Sequence, residues 1–161
     1  MVIWPTIAAT GLGRLLGRLY AIQTGFWIFT VGRLMMGLTL PIGLLLFFFL
    51  LAPGIARRYR LTNRRVIIEK GPTLLDAAAI FWRSGPVWKV EQFVDLDRFD
   101  KIEIEVWPGQ AWYPAGNLIF KLGQIETLRL EGIGYPDVFR ATCWKAHQAY
   151  VGVRKAVAMQ A

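Results

Sequence analysis

Between Leu34 and Ala56 the chain carries no charged side chain, and five arginines follow within nine positions: Arg57, Arg58, Arg60, Arg64 and Arg65. A helix needs about 20 apolar residues to cross the hydrocarbon core of a bilayer, so the uncharged stretch is long enough to do so. Cations gather at the cytoplasmic ends of such spans. The rest of the charge distribution points the same way. Residues 1–70 hold nine Lys and Arg against the single acid Glu69, while residues 71–161 hold ten of each sign. The whole net charge of +8 therefore lies beside the apolar segment. A nucleic-acid binder would carry a basic face on its folded domain instead, so no nucleic-acid partner is expected.

Two membrane arrangements compete. In one, the uncharged stretch crosses alone and the N-terminus lies outside. In the other, "LLGRLYAIQTGFWIFTVGRLMMG" supplies an earlier helix, and the chain crosses twice as a hairpin with spans at about 16–36 and 41–56. The hairpin puts Arg14 and Arg18 on the inside with the five later arginines and leaves only Arg33 outside, which fits the positive-inside bias better. Gly37, Thr39 and Pro41 then form the link, with Pro41 in a first helical turn where its missing N–H costs nothing. Arg18 and Arg33 would snorkel to the interfaces. A first helix that lies on the surface or re-enters is the main competitor. Gln23, Thr24 and Arg33 read as polarity tolerated near span ends. No basic n-region precedes the apolar run, so a secretory signal is not expected. The lone Cys143 excludes an internal disulfide.

From Tyr59 onward the pattern has period two. "RYRLTN", "RRVIIEKG", "KVEQFVDL", "KIEIEVW", "NLIFKL" and "ETLRLEG" alternate apolar and polar residues between turn signals such as "WPGQ" and "PAGN", as half-buried antiparallel strands do. "DAAAIFW" would make a seventh strand. The chain then turns helical: Pro136 suits a first turn, Asp137 suits the positive end of the helix dipole, and Phe139, Cys143, Ala146 and Tyr150 form one apolar stripe able to cover a sheet. The expected architecture is a membrane-anchored all-β or α+β chain. Residues 1–57 form the membrane region, and residues 58–161 form a seven-stranded antiparallel barrel or sandwich capped by a helix at 136–152.

"RRYRLTNRRVIIEKG", directly after a hydrophobic hairpin, resembles the start of the bacterial pleckstrin-homology-like domains that are attached to membrane helices. "DLDRFDKIEIEV" is similar to their strand-turn-strand segment, and "EGIGYPDVFR" to their link into the closing helix. The resemblance covers roughly residues 35–150. It implies two near-orthogonal antiparallel sheets of seven strands with a C-terminal helix. It implies no common catalytic activity, and it implies membrane-associated roles that include accessory and assembly factors of membrane complexes. The segment "PTLLDAAAIFWRSGPV" at 72–87 is longer and more apolar than the pattern. It reads either as a core strand or as an insertion touching membrane or partner with Phe81, Trp82 and Trp88.

No nucleophile elbow, phosphate-binding loop or zinc-protease pattern occurs. "GLGRLLG" at 11–17 follows no strand. His147 is the only histidine, and Cys143 with His147 lacks the two further ligands a zinc site needs. Asp95, Asp97, Asp100, Glu103 and Glu105 lack the spacing of a calcium loop and read as a solvated face. Neither catalytic residue, metal nor cofactor is therefore expected. The binding candidates are Arg14, Arg18, Arg57, Arg58, Arg60, Arg64 and Arg65 for anionic headgroups, though the last five also serve simply to orient the chain. Trp107, Trp112 and Tyr113 join Phe81, Trp82 and Trp88 as candidates for contact with a partner, though packing is the favoured reading of them. The expected function is a non-catalytic scaffold or binding module at the cytoplasmic face of a bacterial inner membrane, multi-pass, with the bilayer and other membrane proteins as partners. The alternative is an accessory subunit or assembly factor of a larger energy-transducing or photosynthetic membrane complex.

Overall fold

The computed structural model describes residues 1–26, 29–52, 55–73 and 88–160. In chain order the elements are β1 (Val2–Ile3), a single 3-10 turn (Ile7–Ala9), α1 (Gly11–Tyr20), β2 (Gly25–Phe26), β3 (Phe29–Thr30) and α2 (Val31–Leu51). There follow β4 (Arg57–Leu61), β5 (Arg65–Lys70), β6 (Lys89–Asp95), β7 (Lys101–Glu105), β8 (Ala115–Leu122), β9 (Ile125–Gly134) and α3 (Pro136–Gln160).

Among the described residues seven strands form two antiparallel sheets, ordered β1-β4-β5-β6 and β7-β8-β9, while β2 and β3 pair as a separate ribbon. The six strands read from period-two patterning all form. The seventh comes from residues 2–3, which pair with Tyr59 and Arg60 of β4. "DAAAIFW" lies outside the described residues. The sheets do not close into a barrel. Among the described residues no ladder joins β6 to β7, and the other edge carries a single bridge between Pro5 and Ile133.

The core lies between the sheets and under α3. Tyr59, Leu61, Val66, Ile68 and Val94 of the first sheet cluster with Leu96 and with Leu118, Phe120, Leu128 and Leu130 of the second. Phe99 meets Phe120 edge-to-face at 5.0 Å. Each fully buried Leu or Phe contributes about 1.5–3 kcal/mol. The α3 stripe packs as its spacing requires, with Phe139 and Cys143 buried and Ala146 and Tyr150 partly so. The helix continues past the expected end at 152 to Gln160.

The membrane hairpin is not what forms. Residues 16–36 divide into the end of α1, the β2–β3 ribbon and the first turns of α2. The break follows from Gly25, whose φ of 137° no helix accommodates, and from the aromatic and β-branched residues after it, which favour extended backbone. The expected link at Gly37–Pro41 is instead the middle of α2, with Pro41 inside the helix. Proline there removes one main-chain hydrogen bond without ending the helix. One described helix, Val31–Leu51, is long and apolar enough to cross a membrane.

The N-terminal residues form an arm docked on the sandwich. The Met1 amine donates to the Leu61 carbonyl at 3.0 Å, and the Thr6 backbone N–H and hydroxyl both donate to the Gly132 carbonyl, at 2.8 and 2.9 Å. Thr10 caps α1 by accepting from the Gly13 N–H at 3.0 Å.

Candidate membrane-facing surface

Gln110, fully buried, clamps the arm to the sheet. Its Nε2 donates to the Ala8 carbonyl at 3.3 Å and to Asn117 Oδ1 at 2.9 Å, and its Oε1 accepts from the Trp107 N–H at 2.8 Å. Asn117 Oδ1 also accepts from the Gly132 N–H at 3.0 Å. Backbones approach so closely here that side chains are excluded. A Cβ on Gly17 would stand 2.1 Å from the Gly109 carbonyl oxygen, and one on Gly109, whose φ is +91°, would stand 2.0 Å from that of Arg14. Gly13 and Gly17 of "GLGRLLG" are therefore packing residues.

Helix α2 lies along this arm. At its start the Val31 and Gly32 N–H groups donate to the Thr24 and Ile22 carbonyls, at 2.9 and 3.0 Å. A Cβ on Gly32 would meet the Tyr20 carbonyl at 2.3 Å. In its middle Thr39 Oγ1 and the Tyr20 hydroxyl are 2.6 Å apart. At its end Leu50 lines a cleft with Pro5, Ala9 and Thr10. Gly32, Thr39, Gly43, Leu46 and Leu50 are the more covered positions of the helix, and the outward positions include Leu34, Leu38, Leu45 and Phe48. Leu38 is 73% exposed and Leu45 69%. The exposed Leu12 and Leu15 of α1 and the exposed Trp4 add to the apolar surface of the arm.

The two ends of α2 are built alike. Trp4, Pro5 and Arg57 surround Phe47, Leu50 and Leu51 in a cleft of about 330 Å³ at one end. Tyr20, Arg33 and Trp112 surround Met36 in a cleft of about 560 Å³ at the other.

The seven candidate arginines do not form one patch. Arg14 sits over the Trp107 ring at 4.5 Å, and Arg18 Nε donates to the Pro108 carbonyl at 3.3 Å, so both pin α1 to the 107–113 turn. Arg57 pairs with Glu91 at 2.9 Å and Arg60 with Glu69 at 3.5 Å. Arg58 also pairs with Glu69 and lies over Trp88 at 4.1 Å. Arg65 pairs with Asp95 at 3.7 Å. Arg64 lies exposed in the β4–β5 turn. Residues adjacent in the sequence are separated because β4 carries Arg57 and Arg64 to opposite ends of a hairpin.

Of the aromatic candidates, Phe81 and Trp82 lie outside the described residues. Trp88 meets Trp4 edge-to-face at 5.4 Å. Trp107 is flanked by Arg14 and Arg129. Trp112 packs between Tyr20 and Tyr113, each at 4.8 Å. Burial pushes the Tyr113 phenol up to about 12. Trp107, Trp112 and Tyr113 thus hold the arm.

Of the acidic cluster, Asp95, Asp97, Glu103 and Glu105 are ion-paired, while Asp100 accepts from the Gly123 N–H at 3.0 Å. Glu103 lies between Lys101 at 2.7 Å and Lys121 at 2.6 Å, and hydrogen bonds from the two ammonium groups, Lys101 first, hold its carboxyl down at about 2. Glu105 accepts from Arg129 at 2.6 Å, which lowers it too. Asp97 pairs with Arg154. Cys143 is buried in the core, where desolvation raises its thiol to about 12, while His147 turns its Nδ1 to the Leu96 carbonyl and stacks on Trp144. Among the described residues no three His, Cys, Asp or Glu side chains gather as metal ligands would.

Comparison of the chain with protein-family models, with curated proteins and with solved structures finds no match. Sequence reasoning missed the docked arm. The signal it had was the set of glycines at 13, 17, 32, 109 and 132, whose close contacts pair residues up to 126 positions apart.

Proposed function

We propose that the protein is a non-catalytic membrane-attached binding module, in which a pleckstrin-homology-like sandwich is held at the cytoplasmic face of a bacterial inner membrane. The observation that carries this reading is α2, a 21-residue apolar helix whose outward side chains face solvent all along its length. An apolar surface of that extent marks an interaction site in a soluble protein or a membrane contact. The four-plus-three strand arrangement, the closing helix and the "YRLTNRR" resemblance support the domain type. The excess of cations near α2 supports the cytoplasmic side, where anionic lipid is concentrated.

The far end of the sandwich favours a second role as an accessory subunit or assembly factor. Leu122 and Ile125 flank the β8–β9 turn, and Ile125 is 72% exposed. The arm grips the opposite end of this hairpin, where Thr6 donates to the Gly132 carbonyl. An apolar tip held away from α2 suits a protein partner.

Fractionation of cells expressing the full chain tests the first reading. The protein should remain with membranes after carbonate washing and leave with mild detergent. Recovery as a monodisperse species in the detergent-free soluble fraction would discard it.

A further inference from the structure

We infer that α2 lies in the plane of one leaflet, half embedded beside the sandwich, and does not cross the bilayer. The inference rests on the membrane reading above and deepens it by fixing how the lipid is met.

A spanning helix delivers its two ends to opposite faces of a layer about 30 Å thick. Both ends of α2 are attached to one folded body. Its first turn is bonded to Ile22 and Thr24, directly after α1, and α1 is locked to the sandwich through Gly17 and Gly109. Its last turn lies against Pro5 and Thr10, and the chain enters β4 six residues beyond Leu51. For α2 to cross while α1 stays docked, residues 21–30 would have to traverse the hydrocarbon in extended form with unpaired backbone groups, which a bilayer does not tolerate. For α1 to cross as well, the β1–β4 pairing and the Gln110 clamp would have to be given up.

The composition of α2 agrees. A helix lying on a membrane surface usually needs a polar face toward water. Here the arm meets the helix at Gly32 and Thr39 and shares a cleft with Leu50, so along that side protein takes the place of water. The outward face, with Leu34, Leu38, Leu45 and Phe48, is left for acyl chains. Charge complements an anionic leaflet over this whole region. Residues 1–56 contain no acid, and Arg33 stands at the start of the helix beside Trp112, while Arg57, which also pairs with Glu91, stands at its end beside Trp4. Paired tryptophans and cations at the margins of an apolar band match the headgroup level.

Single cysteines in a Cys143→Ala background of the full chain test this, at the exposed positions Leu34, Leu38, Leu45 and Phe48 for depth and Gln23 and Asn63 for sidedness. The chain is reconstituted into phosphatidylcholine–phosphatidylglycerol vesicles. Depth is read by quenching of a thiol-linked fluorophore with lipids brominated at graded positions. Folding of each variant is checked by its circular-dichroism melt. In-plane embedding gives all four helix sites the same shallow depth, and makes Gln23 and Asn63 reactive to an impermeant maleimide added to one and the same side. A depth profile deepest near residue 41, with Gln23 and Asn63 reached from opposite sides, would overturn the inference and leave the membrane reading standing. Absence of quenching at all four sites would overturn both. Disulfide formation between two copies at Leu38→Cys without quenching would also overturn both, and would assign the face to a second copy of the chain.

Discussion

Replacement of Gln110 by Ala tests whether the N-terminal arm is part of the fold. The side chain is fully buried and its amide makes three hydrogen bonds, at 2.8, 2.9 and 3.3 Å. Truncation leaves the Trp107 N–H and the Ala8 carbonyl without these partners inside the protein, while Asn117 Oδ1 keeps the Gly132 N–H. An orphaned buried polar group costs about 1–3 kcal/mol. The longer bond to Ala8 belongs at the low end of that range, and the vacated volume adds a smaller loss of packing. The sum is about 3–5 kcal/mol. In a chain of this size each kcal/mol moves the melting temperature by about 2–4 °C, so a fall on the order of 10 °C is expected. The assay is thermal unfolding of the full chain in mild detergent, paired with limited trypsin digestion. Because the clamp joins the arm to β8, the arm should open before the sandwich does, and cleavage after Arg14 and Arg18 should precede cleavage after Arg129. A shift under about 2 °C, with Arg14 and Arg18 as protected as in the parent, would refute the clamp.

Two glycines should respond in opposite directions. Gly17→Ala drives a Cβ into the Gly109 carbonyl, where only backbone can yield, and should lower the melting temperature by several degrees. Gly152→Ala meets nothing within 4 Å on α3 and should stabilise by about 0.5–1 kcal/mol through lost chain entropy. Acid unfolding should report Glu103. Its carboxyl is depressed from 4.5 to about 2 by Lys101 and Lys121, so its contribution is complete above about pH 4.5 and fades as pH falls toward 2. Glu103→Gln should flatten the stability profile in that window and leave it parallel to the parent at neutral pH.

The parts of the fold that were legible in the sequence are those written locally. The alternation in "KIEIEVW" placed Ile102 inward and Glu103 outward, because a strand turns successive residues to opposite faces. The spacing of Phe139, Cys143, Ala146 and Tyr150 defined the covering stripe of α3. What could not be read depends on partners distant in the chain. Residues 2–3 become a strand only because β4 offers an edge at Tyr59 and Arg60, far along the chain. Gly17 makes sense only beside Gly109. Pro41 looked like a helix start because a proline is tolerated best in a first turn, yet apolar helix formers on both sides carry the helix through it. The arginine run looked like a single patch because its residues adjoin in sequence, whereas β4 and β5 distribute them to Glu69, Glu91 and Asp95.

In the membrane-bound protein, residues 1–20 are expected to stay on the sandwich while α2 meets the lipid. Val2 and Arg60 are opposite each other in the β1–β4 ladder and both are exposed. Facing positions in such a ladder lie within the Cα separation a disulfide accepts. With Val2→Cys and Arg60→Cys introduced together into a Cys143→Ala chain, mild oxidation of isolated membranes should link the two positions, detected as a crosslinked peptide by mass spectrometry. Two free thiols under oxidation that links the same chain in detergent would place the arm away from the sandwich in the membrane, and would contradict the claim.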